Sequence, residues 1–277
     1  SDTNDEGILK ATASGVLPSG QPVVVNADGT VSVVASSAAS FGSEGTFVSA
    51  QIAFPGATYD TNTNKYVVAY ADGTNNLGYG TAAVGTVSGT NISFGTPVVF
   101  NSANIQYTSV VFDSNSNKVV IAYKDDGNSE YGTAIVGTVS GTGISFGNEA
   151  VFRSGGTAMI GSAFDSTNNK VVLAYRGASS AGTAVVGTVS GTSISFGSQT
   201  VFDSSIAQYS RVAYDSSSGK VVISYQGGSD IGTAIVGTLS GTSISFGTAA
   251  TFTTNGIDQS SSVYDSVSGK TVIFYRH

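Results

Sequence analysis

GTAIVGTVSGTGISFG, residues 132–147, returns as GTAVVGTVSGTSISFG at 182–197 and as GTAIVGTLSGTSISFG at 232–247. A near copy, GTAAVGTVSGTNISFG, occupies 80–95, and a degenerate one, TVSVVASSAASFG, occupies 30–42. Each full copy sets two β-branched runs around a Ser-Gly-Thr turn. That is the pattern of a hairpin, because glycine supplies the positive φ that tight turns need.

The hairpin serves as a ruler for the rest of the chain. Its Phe-Gly pair falls at Phe41, Phe94, Phe146, Phe196 and Phe246, at spacings of 53, 52, 50 and 50. A period of about 50 with several strands per unit predicts a β-propeller. Nineteen residues after each Phe stands an Asp: Asp60, Asp113, Asp165, Asp215 and Asp265. A Lys follows each Asp after five residues, and a Tyr follows each Lys after five more, ending at Tyr275. Four strands per unit result. In the second unit strand A ends at Asp113, B is KVVIAY (118–123), C is GTAIVGTVS (132–140), and D starts at ISF (144–146) and runs on to VF (151–152). Strand A is poor in bulk (Gly56, Ser109, Gly161, Ser261), as suits the innermost strand of a ring, and Arg211 breaks that rule.

Strands A and B occur five times, and C and D follow a complete A–B pair four times. The expectation is an all-β, five-bladed β-propeller with four antiparallel strands per blade. The closing blade is shared between the termini, from about residues 30–47 and 258–277, which hides edges an open array would expose. Residues 1–20 read as an N-terminal arm, with a turn at Pro18-Ser19-Gly20, and 21–277 as one domain. An Asp28-Gly29 hairpin joins PVVVN (22–26), which has no counterpart in the other units, to the run beginning at Thr30.

Composition narrows function by exclusion. Charged residues are 10% of the 277-residue chain, against a typical ~25%. A net charge of −7 opposes binding to nucleic-acid phosphates or an anionic membrane surface. With no cysteine there is no disulfide, thiolate metal site or Cys nucleophile. No apolar run is long enough for a membrane helix. SDTNDEGILK, residues 1–10, lacks the basic start and apolar core of a signal peptide, so the expectation is another route or a leader already removed.

YDSSSGK (214–220) and YDSVSGK (264–270) resemble the A–B turns of kelch-like propeller repeats. The wording AIVGTVSGTSISFG with VFDSxxNKVV resembles repeat arrays in virion and tail-fibre-type structural proteins of bacteriophages, marine ones especially. ILKATASGVLPSGQPVVVNADGTVSVV (8–34) resembles the start of small phage capsid-decoration and fibre-associated proteins. The resemblance implies a virion location, with other virion proteins as partners through the arm and host-surface carbohydrate as a further partner. Secretion or display at a cell surface is the alternative. It brings no catalytic residues and no cofactor.

The chain carries five versions of itself, so its faces can be compared internally. The A–B and C–D turns share one end of the barrel and hardly vary. The B–C loops (ADGTNNLGY, KDDGNSEY, RGASSA, QGGSDI) and the D–A loops share the other end and differ in length and chemistry. Such a face is either a binding surface on a rigid frame or unconstrained drift. Six residues before each Asp stand Phe54, Tyr107, Met159, Tyr209 and Gln259, preceded by Gln106, Gln208 and Asp258. With strand A innermost they ring the mouth of the channel, where aromatic faces beside amide and carboxylate groups suit a sugar. The alternative is a hydrophobic plug. Arg176 and Arg211, with Arg153 and Arg276, fall near this end and suit a carboxylate or phosphate, or pair with nearby acids.

The repeated Asp residues read as turn caps rather than metal ligands, since DSxxNK supplies few oxygens. Lys124–Glu130 has the composition of a calcium loop but not its spacing. A glycosidase needs two facing carboxylates, and strand A carries none before its terminal Asp. The one histidine, His277, is the last residue. The expectation is a non-enzymatic structural or attachment module, with a lectin-like carbohydrate-binding propeller as the alternative and a glycosidase behind both.

Overall fold

A computed structural model describes residues 12–17, 23–28, 30–33, 42–73 and 78–276. The chain forms two compact units, Ser1–Gly42 and Ser43–His277.

The first unit is a three-stranded sheet. β1 (Thr12–Ala13) and β2 (Val23–Val25) flank β3 (Thr30–Val33), parallel and antiparallel respectively. The hairpin expected at Asp28 is present, and the Asp28 carboxylate accepts from the Thr30 amide (3.0 Å) and hydroxyl (2.7 Å). Thr30–Val33, the first residues of the expected closing stretch, pair within this sheet. β3 has a partner on each edge within its own sheet, because the local turn closes at far lower entropic loss than a pairing across the whole chain. Residues 34–41 and the turn at Pro18 lie outside the described residues.

The second unit repeats one sheet. β4 (Ile52–Asp60), β5 (Lys65–Asp72), β6 (Tyr79–Ser88) and β7 (Asn91–Phe94) are strands A to D of the first repeat. β8 (Val98–Asp113) finishes strand D of that repeat and runs on unbroken as strand A of the next, so the two sheets join. β9 (Lys118–Asp125), β10 (Tyr131–Ser140), β11 (Gly143–Phe146) and β12 (Ala150–Gly156) complete the second. The third comprises β13 (Ala158–Asp165), β14 (Lys170–Arg176), β15 (Gly182–Ser190), β16 (Ser193–Phe196) and β17 (Thr200–Asp203). The fourth comprises β18 (Gln208–Asp215), β19 (Lys220–Gln226), β20 (Ile231–Ser240), β21 (Ser243–Phe246) and β22 (Ala250–Gly256). β23 (Gln259–Asp265) and β24 (Lys270–Arg276) are a fifth A–B pair, bonded only to each other among the described residues.

Neighbouring A strands pack side by side: β4 on β8, β8 on β13, β13 on β18 and β18 on β23. Strand A is therefore the inner strand, as its small residues require. The core lies between consecutive sheets in three apolar clusters. Around it an aromatic cement repeats. A Phe late in strand D of one repeat packs on the strand-B Tyr and strand-D Phe of the next: Phe100 on Tyr123 and Phe146, Phe152 on Tyr175 and Phe196, Phe202 on Tyr225 and Phe246. Centroids are 5.2–5.6 Å apart, the range of favourable offset and edge contacts. Phe47, six residues past Phe41, takes the same place on Tyr70 and Phe94. Phe252 meets Tyr275 at 5.4 Å in the same way.

The Phe-Gly landmark has a packing cause. A Cβ on Gly95, Gly147 or Gly197 would lie 1.9–2.0 Å from the carbonyl oxygen of Thr142, Thr192 or Thr242, in the C–D turn of the following repeat. At Gly247 the nearest such atom is 3.9 Å away, because no further C–D turn follows among the described residues.

The turn carboxylates are structural, as expected. Asp60, Asp113, Asp165 and Asp215 each accept from the two amides at the second and third residues beyond, at 2.9–3.2 Å. Asp265 accepts from Val267 at 2.9 Å. Ser217 and Ser218 hydroxyls hold the Asp215 carboxyl well below the ordinary carboxylate range.

Candidate functional site

Strand pairing brings the B–C loops and D–A segments to one end, as Tyr131 is paired with both Asp125 and Gly156. At this end strand A carries an irregularity four times. The register against strand B slips between Ala53 and Gly56, Gln106 and Ser109, Ala158 and Gly161, and Gln208 and Arg211. One extra residue is accommodated each time, and Phe54, Tyr107, Met159 and Tyr209 take φ of 50°, 54°, 54° and 53°. Large side chains are rare in this left-handed region, where Cβ crowds the backbone by roughly 1–2 kcal/mol. A bulge of this kind re-aims a side chain. The fifth copy departs from the pattern, since β23 pairs with β24 without a slip from Gln259 onward.

The bulges turn these side chains onto one central pocket of about 230 Å3, which Phe54, Tyr107, Met159, Tyr209, Arg211 and Gln259 line. The Phe54 and Tyr107 rings lie tilted at 5.1 Å, and the Tyr209 amide points at the Met159 sulfur at 3.3 Å. No Asp or Glu is among the described residues lining it. Arg211 donates from one terminal nitrogen to the Ser210 carbonyl at 2.9 Å. Burial lowers its guanidinium pKa.

Six of the ten expected site residues thus meet in one place, and four do not. Gln106 donates to Asp126 at 2.8 Å. Arg176 lies in a side cleft of about 390 Å3 with Lys124, Glu130 and Arg153, and reaches Gln208 at 3.5 Å. Gln208 and Asp258 line a second side cleft of about 420 Å3 with Gln226 and Asp230, and Asp258 is paired with Arg276 at 2.5 Å. A third, smaller cleft lies beside Phe54, Ala71 and Asn104. These clefts are the same place in the first, second and fourth repeats. Their chemistry changes with the residue after the strand-B Tyr: Ala71 in one, Lys124 joined by Arg176 of the next repeat in another, and Gln226 in the last. The calcium-like composition of residues 124–130 is spent on an ion pair instead. Lys124 sits 3.2 Å from Asp126 and 2.9 Å from Glu130, so a cation of the protein's own occupies the acids.

The variable loops share a backbone that their sequences conceal. Glu130, Ser180 and Asp230 all take φ of 61–68°, as does Gly78. The carbonyl of each accepts from the D–A amide of Thr157, Ala207, Ile257 and Ile105 respectively, at 2.9–3.2 Å. One hydrogen bond, made four times, pins a B–C loop to a D–A segment, and side chains vary over that constant frame.

No protein-family model and no curated protein matches the sequence. Among solved structures the chain is similar to a sialidase from Trypanosoma rangeli, at TM-score 0.53 and 13% identity, over 94% of this chain and 49% of that one. It is also similar to an exo-β-1,3-galactanase from Phanerochaete chrysosporium, at TM-score 0.49 and 10% identity, over 73% and 49%. A third is AofleA from Arthrobotrys oligospora, at TM-score 0.47 and 8% identity, over 76% and 60%. The chain spans about half the length of the first two. At such identity the sialidase likeness speaks of fold alone, an all-β propeller type of antiparallel sheets.

Proposed function

We propose that this chain is a carbohydrate-binding propeller of five blades that holds a sugar over the central pocket and performs no chemistry on it. The observation that carries the reading is the ring of four left-handed residues, three of them aromatic, at the channel mouth. Backbone strain of about 1–3 kcal/mol per residue persists where surrounding structure over-determines it, and it clusters at binding sites. A plug of apolar side chains would not require such a conformation, because Leu or Val in an unbulged strand would fill the mouth. Exposed aromatic faces stack on the C–H face of a sugar, and Gln259 supplies both a donor and an acceptor for hydroxyls. A sugar-directed propeller is in keeping with the fold shared with a sialidase, which supplies no residue to the argument. No carboxylate is among the described residues lining the pocket, so the two-carboxylate route to glycoside cleavage finds no support there.

A glycan array probed with the purified chain tests this. Binding is expected, and Tyr107→Ala combined with Tyr209→Ala should abolish it while leaving the melting temperature within a few degrees. Binding that survives the double substitution would sink the reading. The repeat wording favours a virion as the setting, in which case the sugar belongs to a host surface. Mass spectrometry of purified particles would show the chain if so, and its absence would remove the virion reading without touching the sugar site.

A further inference from the structure

We propose that Arg211 reads a carboxylate on the bound sugar, so that the central pocket takes acidic saccharides of the uronic-acid class in preference to neutral ones. The proposal rests on the central pocket being a sugar site and names the class of sugar.

The internal repeat isolates the observation. Four residues before each turn Asp, the inner strand carries Gly56, Ser109, Gly161, Arg211 and Ser261. Four copies are Gly or Ser, of which Gly161 lets the neighbouring strand come close, since a Cβ there would lie 2.6 Å from the Ser210 carbonyl oxygen. One copy places a guanidinium there that lines the pocket. The frame plainly accepts a small residue there, so the arginine is not required by packing. Its environment withholds compensation. Among the described residues it forms no salt bridge, and its guanidinium donates to the carbonyl of its own neighbour. The surroundings are aromatic and apolar, and burial disfavours its charge.

A partly desolvated cation gains most from an anion that enters the same space. A guanidinium presents its donors in a planar fork that matches a carboxylate bidentately. A single fork also matches a single negative charge, which favours a carboxylate over a doubly charged phosphate. The chain's net charge of −7 would repel a diffuse polyanion, so selection of an acidic ligand has to come from one local contact.

The test uses saccharides in matched pairs, titrated by calorimetry. Oligosaccharides bearing a single galacturonate or glucuronate residue are compared with their methyl esters, which keep the ring and remove the charge, and with neutral galactose and glucose oligomers. The wild-type chain should bind the acid about ten- to a hundredfold more tightly than the ester, the range of a charge-assisted hydrogen-bond pair. Arg211→Ser copies the residue found in two other repeats, and should bring the acid-to-ester ratio to about one. Arg211→Lys keeps the charge without the fork and should give an intermediate ratio. Equal affinity of the wild type for acid and ester, or a preference that survives in Arg211→Ser, overturns the proposal. Binding of neutral oligomers alone overturns it and leaves the sugar site standing. Failure of every arm overturns both.

Discussion

At the residue scale, the bulged tyrosines set stability and binding against each other. Tyr209 sits at φ 53° in a conformation that any Cβ crowds. In an ordinary strand alanine is more stable than glycine, and at this position the order should reverse. Tyr209→Gly is expected to be more stable than Tyr209→Ala by about 1 kcal/mol, measured by chemical denaturation. Both variants should lose sugar binding alike, since both lack the ring. Asp215 makes a second prediction, in pH. Hydrogen bonds from the Ser217 and Ser218 hydroxyls depress its folded pKa below the ordinary 3.8. Its contribution to stability is therefore complete above that value and is lost as pH falls through the depressed one. The stability gap between wild type and Asp215→Ala should be largest near neutrality and shrink below about pH 4 in urea titrations. A gap that grew on acidification would contradict the assignment. These two cases also differ in legibility. The turn role of Asp215 follows from Asp, Ser and Gly at fixed offsets, a local pattern. The left-handed backbone at Tyr209 leaves no mark, because glycine or asparagine, the usual signals of positive φ, are absent.

At the element scale, the aromatic cement offers an internal control. Tyr70, Tyr123, Tyr175 and Tyr225 are 0–1% exposed, whereas Tyr275 is 42% exposed. The sequence makes these five tyrosines equivalent, and the surroundings do not. Tyr225→Ala removes a ring packed on Phe202 and should destabilise by about 3–5 kcal/mol, as other buried aromatic truncations do. Tyr275→Ala should cost about 1 kcal/mol or less, in line with exposed substitutions. Equal losses would mean that Tyr275 is covered in solution. The four-strand order, the A–B turns and the split strand D could all be read from the repeat, because hairpins are local. The fate of Thr30–Val33 could not. Its wording matches strand C, yet β2 and β1 take both its edges. Sequence similarity between strands carries no information about which partner arrives first.

At the scale of the whole molecule, the site divides into a part that repeats and a part that departs from repetition. The ring is legible in the sequence because it recurs at a fixed offset from each Asp, and Phe54, Tyr107, Met159 and Tyr209 line one pocket. Arg211 was legible as the residue that broke a run of Gly and Ser. Gln106 and Arg176 were assigned to the mouth from proximity in sequence alone, and the pleat sends them instead to Asp126 and to the side cleft. The side clefts leave no local mark in the sequence, because they form between repeats from segments far apart in the chain. Their lining changes from Ala71 to Lys124, Arg176 and Gln226 over one backbone, so one architecture presents several surface chemistries.

The two-stranded sheet of β23 and β24 has a consequence for how the molecule breathes. The inner strands β8, β13 and β18 each pack against another inner strand on either side, and their sheets carry strands C and D outside strand B, whereas β24 is paired with β23 alone among the described residues. Amide deuterium uptake should therefore be graded. The amides of Lys270–Arg276 should exchange through local opening well before those of Lys118–Asp125, whose strand has partners on both edges. Residue-resolved exchange should find the slowest amides on β9 and β14. Uniform protection across all five A–B pairs would mean that the last one is clamped as firmly as the rest.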